Sequence, residues 1–319
     1  MKVMEIVDPI VDFTHFSPIN RKNGISGFMR LRNEAEFLAL VIESWLPLLD
    51  ELIIVYNNCQ DNTGEIALDY MNKFPDKIKC YHYIPIVYPQ GSSNYKTLLS
   101  NDFHSLVNYY NFALSKTTYK WALKIDGDLI LPWEKINEIK TYYYDMTLNH
   151  QNFYLAISGV NIIDDKKAIY VPSSSKFCGL NGDLCLFRVD HDTIFKKASE
   201  TEILDLSNRV KLKNIFGYYH MKFIKSDYGV GNYDFINNPD SNYYAKTLVF
   251  LLFLRLIPLS KVLKDNNIDM PLFREDMISL RGDDYKKGAR KFLKQYNIRL
   301  SLRSFFREIY IHLKIISYG

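Results

Sequence analysis

An open α/β sheet covered by helices on both faces is the fold the sequence predicts, on three observations. Short apolar runs of strand length alternate with amphipathic runs of helical length from residue 24 to residue 125. The run Glu51-Leu52-Ile53-Ile54-Val55-Tyr56 is continuously apolar after its first residue, as in a strand buried on both faces of a parallel sheet. Two such runs end in polar turns, at 57–61 and 126–128, and ligands of open α/β sheets bind beyond the carboxyl ends of the strands. The two turns are therefore expected to line one crevice.

Taken in order, the first strand is predicted over 24–31 and leads into Arg32-Asn33-Glu34. A helix over 35–49 follows, because Phe37, Leu38, Val41, Ile42, Trp45 and Leu49 recur at helical spacing. The strand over 51–56 ends in the polar turn 57–62, and Thr63 opens a second helix carrying Ile66, Ala67, Tyr70 and Met71. A third strand is expected over 78–87, then a Ser/Asn-rich loop over 88–102 and a third helix over 103–114. The fourth strand, 120–125, runs directly into Asp126-Gly127-Asp128. Past Trp133 the alternation changes. Strands are expected at 153–163 and 184–189, separated by Ser173-Ser174-Ser175 and the loop Gly179-Leu180-Asn181-Gly182-Asp183. Internal repeats and low-complexity tracts are absent from the sequence.

Composition bounds the function classes. A chain of 319 residues with 47% hydrophobic residues can build a large core and is not of the disordered class. Its four cysteines form no CxxC pair, which gives no zinc ladder and fits a reducing compartment. The first 18 residues carry Lys2, Glu5, Asp8 and Asp12 without a long apolar stretch, so no signal peptide is expected and the location read from the sequence is cytoplasmic. The loop GxxxxGK[ST], the fingerprint GxGxxG and the elbow GxSxG do not occur. His15, His82, His104, His150 and His191 are scattered and suggest no zinc cluster.

The net charge is +4, but residues 281–319 hold ten Lys/Arg against three Asp/Glu. Over 286–316, basic residues such as Lys287, Arg290 and Lys294 interleave with Phe292, Leu293, Phe305 and Phe306, the pattern of a basic amphipathic helix. Such a helix suits an anionic membrane surface or packs on the domain with its basic face outward. Nucleic acid is not expected, because no recognised motif accompanies the charge. The apolar stretch 247–258 is too short to span a bilayer, which needs roughly 20 residues, and Arg255 and Pro258 interrupt it. It reads either as a buried helix or as one lying in a membrane interface.

Asp126-Gly127-Asp128 is the strongest chemical signal. Two carboxylates one residue apart at a strand end can face one divalent cation, with Gly127 permitting close backbone approach. The same tripeptide also makes a simple turn, since Asp-Gly is a favoured turn dipeptide.

Three segments in order, Arg32-Asn33-Glu34-Ala35-Glu36 after a strand, Val55-Tyr56-Asn57-Asn58-Cys59-Gln60-Asp61-Asn62-Thr63, and Lys124-Ile125-Asp126-Gly127-Asp128, resemble the family 2 glycosyltransferases of the GT-A fold. The resemblance covers roughly residues 25 to 130. It implies a Rossmann-like open mixed sheet over 1–240, with a nucleotide-sugar half at about 25–130 and an acceptor half at about 131–240. A helical, basic region over 241–319 would follow. It implies that Arg32 and Glu34 border the nucleotide pocket, that Asn57 sits where the family usually places an acid against the base, and that Asp61 holds that loop. Asp126 and Asp128 would bind Mn²⁺ or Mg²⁺ and, through it, the diphosphate of the donor. This chain departs from the family pattern at Tyr56 and Asn57.

Many GT-A enzymes take a further metal ligand from a distant His, and His220 is the best placed; it also reads as a partly buried His at a strand edge. Lys222 and Lys225 read as diphosphate contacts or as solvated surface. An inverting transferase needs a carboxylate to take the acceptor proton. The family draws it from a Glu-Asp pair, but Ile203 follows Glu202 here. Asp183, Glu202 and another residue stay open as the base, and the charged run 199–205 otherwise reads as a solvated helix start. The implied function is transfer of a sugar from a nucleoside diphosphate-sugar, most readily a UDP-sugar, to a glycan or lipid-linked glycan acceptor. The setting would be synthesis of a cell-surface polysaccharide at the cytoplasmic face. A sugar nucleotidyltransferase and a non-catalytic nucleotide- or glycan-binding module of the same fold are the rival readings.

Overall fold

Strand-length apolar runs and amphipathic helices fold as their periodicities require in a computed structural model of the chain, which describes residues 3–149, 152–173, 184–198, 201–233, 247–248, 251–274, 276 and 278–295. The first half contains β1 (Met4–Ile6), β2 (Lys22–Leu31), α1 (Ala35–Trp45), β3 (Glu51–Asn57), α2 (Thr63–Lys73), β4 (Ile78–Tyr83), α3 (Ser93–Thr97), α4 (Leu106–Ser115) and β5 (Tyr119–Lys124). The second half adds β6 (Leu129–Ile130), α5 (Glu134–Asn149), β7 (Phe153–Asn161), β8 (Ile163–Asp165), β9 (Ala168–Pro172), β10 (Leu184–Arg188), β11 (Phe195–Lys197), β12 (Glu202–Leu204) and β13 (Val210–His220). After these come β14 (Leu256–Pro258), α6 (Leu259–Asp265) and α7 (Tyr285–Gln295).

The predicted open α/β sheet forms, in the order β1-β4-β3-β2-β5-β10-β7-β13-β6 among the described residues. From β1 to β5 all neighbours are parallel, and the helices between them supply the crossovers. From β5 onward the sheet is mixed: β10 is antiparallel to both β5 and β7, β13 is parallel to β7, and β6 is antiparallel to β13.

Successive strand residues point to opposite faces, and the two faces bury different sets. Met29, Leu52, Ile54 and Leu123 meet α1, α2 and α5 on one side. Phe28, Ile53, Val55 and Ala122 meet α4 on the other. This parity places Arg30 and Lys124, two steps beyond Phe28 and Ala122, on the α4 side at the carboxyl ends of their strands.

Several boundaries differ from the sequence expectation for local reasons. The helix predicted over 35–49 stops at Trp45: Leu46 still has helical dihedrals, but Pro47 has no N–H to continue the ladder, and Leu48 and Leu49 bond three residues back instead of four. The strand predicted over 78–87 stops at Tyr83, two residues before Pro85, which has no N–H for a ladder. The third helix starts at Leu106 rather than 103, where the Ser105 hydroxyl caps it by accepting from the Val107 N–H at 3.2 Å. A short helix, α3, interrupts the loop expected over 88–102. Neither α5 nor the greater part of β13 was anticipated, although Ile139, Tyr143 and Met146 in α5 are buried at helical spacing. The segment read as a solvated helix start contains β12, paired antiparallel with β11.

In the apolar stretch after residue 246, Leu248, Leu251 and Leu252 are buried against Tyr228, Tyr285, Ala289 and Leu293, so their side chains serve the interior, while Phe253 is exposed. Among the described residues no helix is long and apolar enough to cross a membrane. Of the basic tail, α7 is described and buries Tyr285, Ala289 and Leu293; residues 296–319 lie outside the described residues.

Candidate active site

The carboxyl ends of β2, β3 and β5 open onto a cleft of about 900 Å³ lined by Arg30, Arg32, Glu34, Asn57, Asp126, Asp128 and residues of the second half. Sheet topology brings its two walls together. β5 ends at Lys124, the chain turns through Asp126–Asp128, and β6 pairs with the end of β13 so that His220 stands opposite Leu129. The Met221 N–H then donates to the Asp128 carbonyl at 2.8 Å. His220 Nε2 consequently lies 3.3 Å from Asp128 Oδ1.

Immediately after β13 the chain makes consecutive tight turns, with Tyr228 (φ 56°) and Gly229 (φ 71°) in the left-handed region. This folds Lys222, Lys225 and Asn232 back over the cleft. Lys225 Nζ lies 2.5 Å from Glu34 Oε2 and 3.0 Å from Asp128 Oδ2. Lys222 Nζ donates to the Tyr233 hydroxyl at 2.5 Å. Lys225 is only 7% exposed, which corrects the reading of it as solvated surface.

Asp126 has separate partners. Lys124 Nζ is 2.8 Å from Oδ2 and Arg30 Nη2 is 3.6 Å from Oδ1. Arg30 in turn lies 3.5 Å from the centre of the Tyr110 ring and donates to its hydroxyl. Burial works against charge on both aspartates, but the cations outweigh it. Lys124 and Arg30 hold Asp126 below the ordinary carboxylate range, and Lys225 and His220 hold Asp128 well below it. Glu34 goes the other way: burial pushes it up to about 8 against the pull of Lys225. Of the two carboxylates around Lys225, Asp128 is the one that keeps its charge.

The three predicted metal ligands do not gather as one group, and no cluster of three His, Cys, Asp or Glu suited to a metal occurs among the described residues. What converges is the pair Asp128 and His220, while Lys124 and Arg30 claim Asp126. Adjacent ligands of an octahedral ion with bonds of about 2.1 Å stand about 3 Å apart, and Mg²⁺-type sites take one or two carboxylates with phosphates completing the shell. The Asp128–His220 spacing fits that requirement. Gly127 is needed for a different contact from the one expected: a Cβ there would lie 2.8 Å from Glu34 Cβ and Cγ.

Comparison with known proteins gives one family. The family model described as beta-1,4-N-acetylgalactosaminyltransferase (CgtA) matches residues 16–249. The chain belongs to this family. It is a glycosyltransferase, and the nucleotidyltransferase and non-catalytic readings fall away. No curated protein matches the chain. Among solved structures, S. aureus TarS 1-349 is 15% identical over 70% of each chain, with a TM-score of 0.38. TarS 1-349 in complex with UDP is 16% identical over 70% of each chain, with a TM-score of 0.39. Glucosyl-3-phosphoglycerate synthase from Mycobacterium tuberculosis, in complex with Mn²⁺, UDP and phosphoglyceric acid, is 13% identical over 68% of this chain and 78% of that one, with a TM-score of 0.40.

In this CgtA-family chain the remaining predicted residues take varied places. Arg32 lines the cleft, and its Nε is buried without a partner among the described residues. Asp61 is absent from the cleft wall: its carboxylate accepts from the Thr63 N–H and hydroxyl and from the Ala35 N–H, tying the β3–α2 turn to the start of α1. Glu202 is in the cleft. Its Oε2 accepts from Gln90 Nε2 at 2.6 Å, and its Oε1 is buried with no partner among the described residues. Its charge is felt by Arg30 and Tyr110, on the side of Asp126. Asp183 lies outside the described residues.

Asn57 is 1% exposed and its amide is already engaged. Nδ2 donates to the carbonyls of Tyr83 and Pro85, both at 2.7 Å, and Oδ1 accepts from the Val87 N–H at 3.0 Å. Both donors needed for contact with a base are in use, so Asn57 braces the 83–87 backbone instead. The other departure from the family pattern has a packing reason: Tyr56 stacks on His82, with ring centres 4.7 Å apart. Replacing Asn57 by Ala strands two buried backbone groups and a third that is half-buried, and is expected to lower stability by about 2–3 kcal/mol. Urea denaturation checks it, and a change below about 0.5 kcal/mol, within the error of the method, would refute the bracing role.

Arg30, Lys124, Gln90 and Asn232 are functional-site residues that the sequence reading did not single out. The first two carried a usable signal, as charged residues at the ends of otherwise apolar strands. Asn232 donates to the Arg32 carbonyl at 3.1 Å from 200 positions away, which no local pattern announces.

Proposed function

We propose that the chain transfers an N-acetylgalactosaminyl or related sugar from a nucleoside diphosphate-sugar, most readily the UDP-sugar, to a hydroxyl of a glycan or lipid-linked glycan, with Mn²⁺ or Mg²⁺ as cofactor. The observation that carries this reading is the meeting of Asp128 and His220 at 3.3 Å in a cleft that also holds Lys222 and Lys225. Membership of a beta-1,4-N-acetylgalactosaminyltransferase family supports the choice of sugar. Asp128 and His220 would hold the ion, which when bound supplies charge to stabilise the departing nucleoside diphosphate. Lys222 and Lys225 are placed to neutralise phosphate oxygens, as ammonium groups do elsewhere. Arg30 and Lys124 fix the carboxylate of Asp126 at the floor of the cleft.

A β-linked product made from an α-linked donor requires inversion, and hence one base on the face opposite the leaving group. Glu202 is our choice, since Gln90 orients one of its oxygens and leaves the other directed to no protein donor among the described residues. It would take the proton of the attacking hydroxyl as the new glycosidic bond forms and the bond to the diphosphate breaks. The outward basic residues of α7, Lys287, Arg290, Lys291 and Lys294, support weak and salt-sensitive contact with an anionic membrane on the cytoplasmic face, where a lipid-linked acceptor would be presented.

The function is tested by thermal unfolding with nucleoside diphosphates and Mn²⁺, followed by transfer from UDP-N-acetylgalactosamine to a panel of glycans. A nucleotide at 100 times its Kd adds about 2.7 kcal/mol of stability; no shift with any nucleotide and metal would sink the reading. Glu202→Gln should lower kcat by about 10²–10⁴-fold while nucleotide binding is kept. A kcat within a few-fold of wild type would remove Glu202 as the base.

A further inference from the structure

The Asp128 carboxylate already has a cation of its own. Lys225 Nζ lies 3.0 Å from its Oδ2, on the carboxylate whose Oδ1 faces His220. The ammonium is not a loose surface group. It is bracketed on its other side by Glu34 at 2.5 Å. Its backbone carbonyl accepts from the Tyr228 N–H at 2.9 Å and from Arg281 Nη2 at 3.3 Å. The same Arg281 Nη2 holds the Ile224 carbonyl at 2.8 Å, and its Nε is fixed by Asp164 Oδ1 at 3.0 Å. Asp126, the other aspartate of the tripeptide, is closed in the same way by Lys124 and Arg30. Both carboxylates at the β5 end therefore carry partner cations.

We propose that Lys225 is the resident cation of Asp128 and competes with the divalent ion for it, so that the ion enters together with the nucleotide. The inference rests on the reading that Asp128 and His220 hold the ion. A divalent ion on Asp128 Oδ1 would stand only a few ångströms from the ammonium on Oδ2, and like charges at that separation repel strongly in a partly desolvated cleft. An incoming diphosphate changes the balance in two ways. It brings negative charge that favours the ion, and it offers the Lys225 ammonium oxygens to turn to. A four-carbon stem with a compact, rotatable head suits that transfer. Glu34 guides it, because it keeps hold of the ammonium while Asp128 is released. Lys225 thus occupies Asp128 in place of the ion before the nucleotide arrives and is a diphosphate ligand during catalysis.

The test is Mn²⁺ alone, titrated into the full-length protein and followed by the electron paramagnetic resonance signal of free Mn²⁺, with no nucleotide present. Lys225→Gln is expected to bind Mn²⁺ about tenfold tighter than wild type, since one competing charge at the site is gone. Lys225→Arg, which keeps the charge, should stay near wild type, and Lys225→Gln/Asp128→Asn should lose the gain. Lys225→Met, which keeps the packing of the stem, is read in place of Lys225→Gln if the latter does not fold. Equal or weaker Mn²⁺ binding by the neutral variant overturns the competition. If wild type binds Mn²⁺ tightly and Asp128→Asn abolishes it, Lys225 does not compete and the ion site itself stands. If the gain persists in the double variant, the ion is held elsewhere, and both the competition and the Asp128–His220 site fall.

Discussion

Asp128→Asn is expected to lower the transfer rate by about 10²–10³-fold, the size of effect seen when a preorganised electrostatic contact to the reacting group is removed. Its side chain joins the turn after β5 to the end of β13 and to the turn beyond it, through His220 and Lys225. The same substitution acts on stability. Asp128 is 5% exposed, and neutralising it leaves Lys225 buried with Glu34 as its remaining ion-pair partner and Asp227 farther off. Breaking a buried pair by removing one partner costs about 3–5 kcal/mol; the lower end applies here because Glu34 can ionise in response. The pH dependence has a definite sign. Asp128 is held below its unfolded value, so its contribution is fully present above about pH 4 and is lost as pH falls further. Denaturation of wild type and variant at pH 7 and pH 3 should therefore show a stability gap that narrows in acid. A variant that retains transfer within threefold, about 0.6 kcal/mol of barrier, would remove Asp128 from the reaction.

Asp164→Ala is expected to destabilise the protein by about 1–3 kcal/mol, by removing the carboxylate that accepts from a half-buried Arg281. Asp164 is fully buried, and its carboxylate accepts from Arg281 at both the backbone N–H (2.5 Å) and Nε (3.0 Å). The guanidinium also lies 4.5 Å from the centre of the Tyr228 ring and reaches the carbonyls of Ile224 and Lys225. Arg281→Lys should not rescue the contact, because one ammonium cannot reproduce a planar fork shared between a carboxylate and two carbonyls. Loss of the clamp frees the turns that carry Lys222 and Lys225, so the variant should show faster amide exchange over 222–231 and a raised KM for the donor. Equal exchange in wild type and Asp164→Ala would show that the turns hold themselves.

The first half of the fold was legible because its signals are local. Helical spacing from Phe37 to Trp45, the apolar run at 52–55 and the strand ending at Asp126 each need a short window, and Pro47 and Pro85 mark two boundaries that were set too late. The family resemblance was carried by that same half. The second half was read coarsely because its strands are shaped by partners far away: β13 is long only because β7 lies beside it, with register shifts near residues 212 and 217. In the site, Asp126, Asp128 and His220 were visible as chemistry-bearing types, but which two of them meet depended on β6 pairing with β13. Lys225 was illegible for a related reason. A lysine is ordinarily solvated, and only the meeting of Glu34 and Asp128 around it makes burial tolerable. Asn57 had the right position and a different task, since its amide satisfies a backbone stretch that Pro85 prevents from continuing as strand.

The tight fit of Gly127 against Glu34 also bears on how this motif can vary through descent. Here a methyl group would press on Glu34 Cβ and Cγ at 2.8 Å and on Leu31 Cδ2 at 2.9 Å. Positions 34 and 127 are thereby bound into one unit of inheritance: a lineage that trades the glycine for a larger residue must shorten its neighbour or move a strand end, and either change disturbs the carboxylate that keeps Lys225 in place.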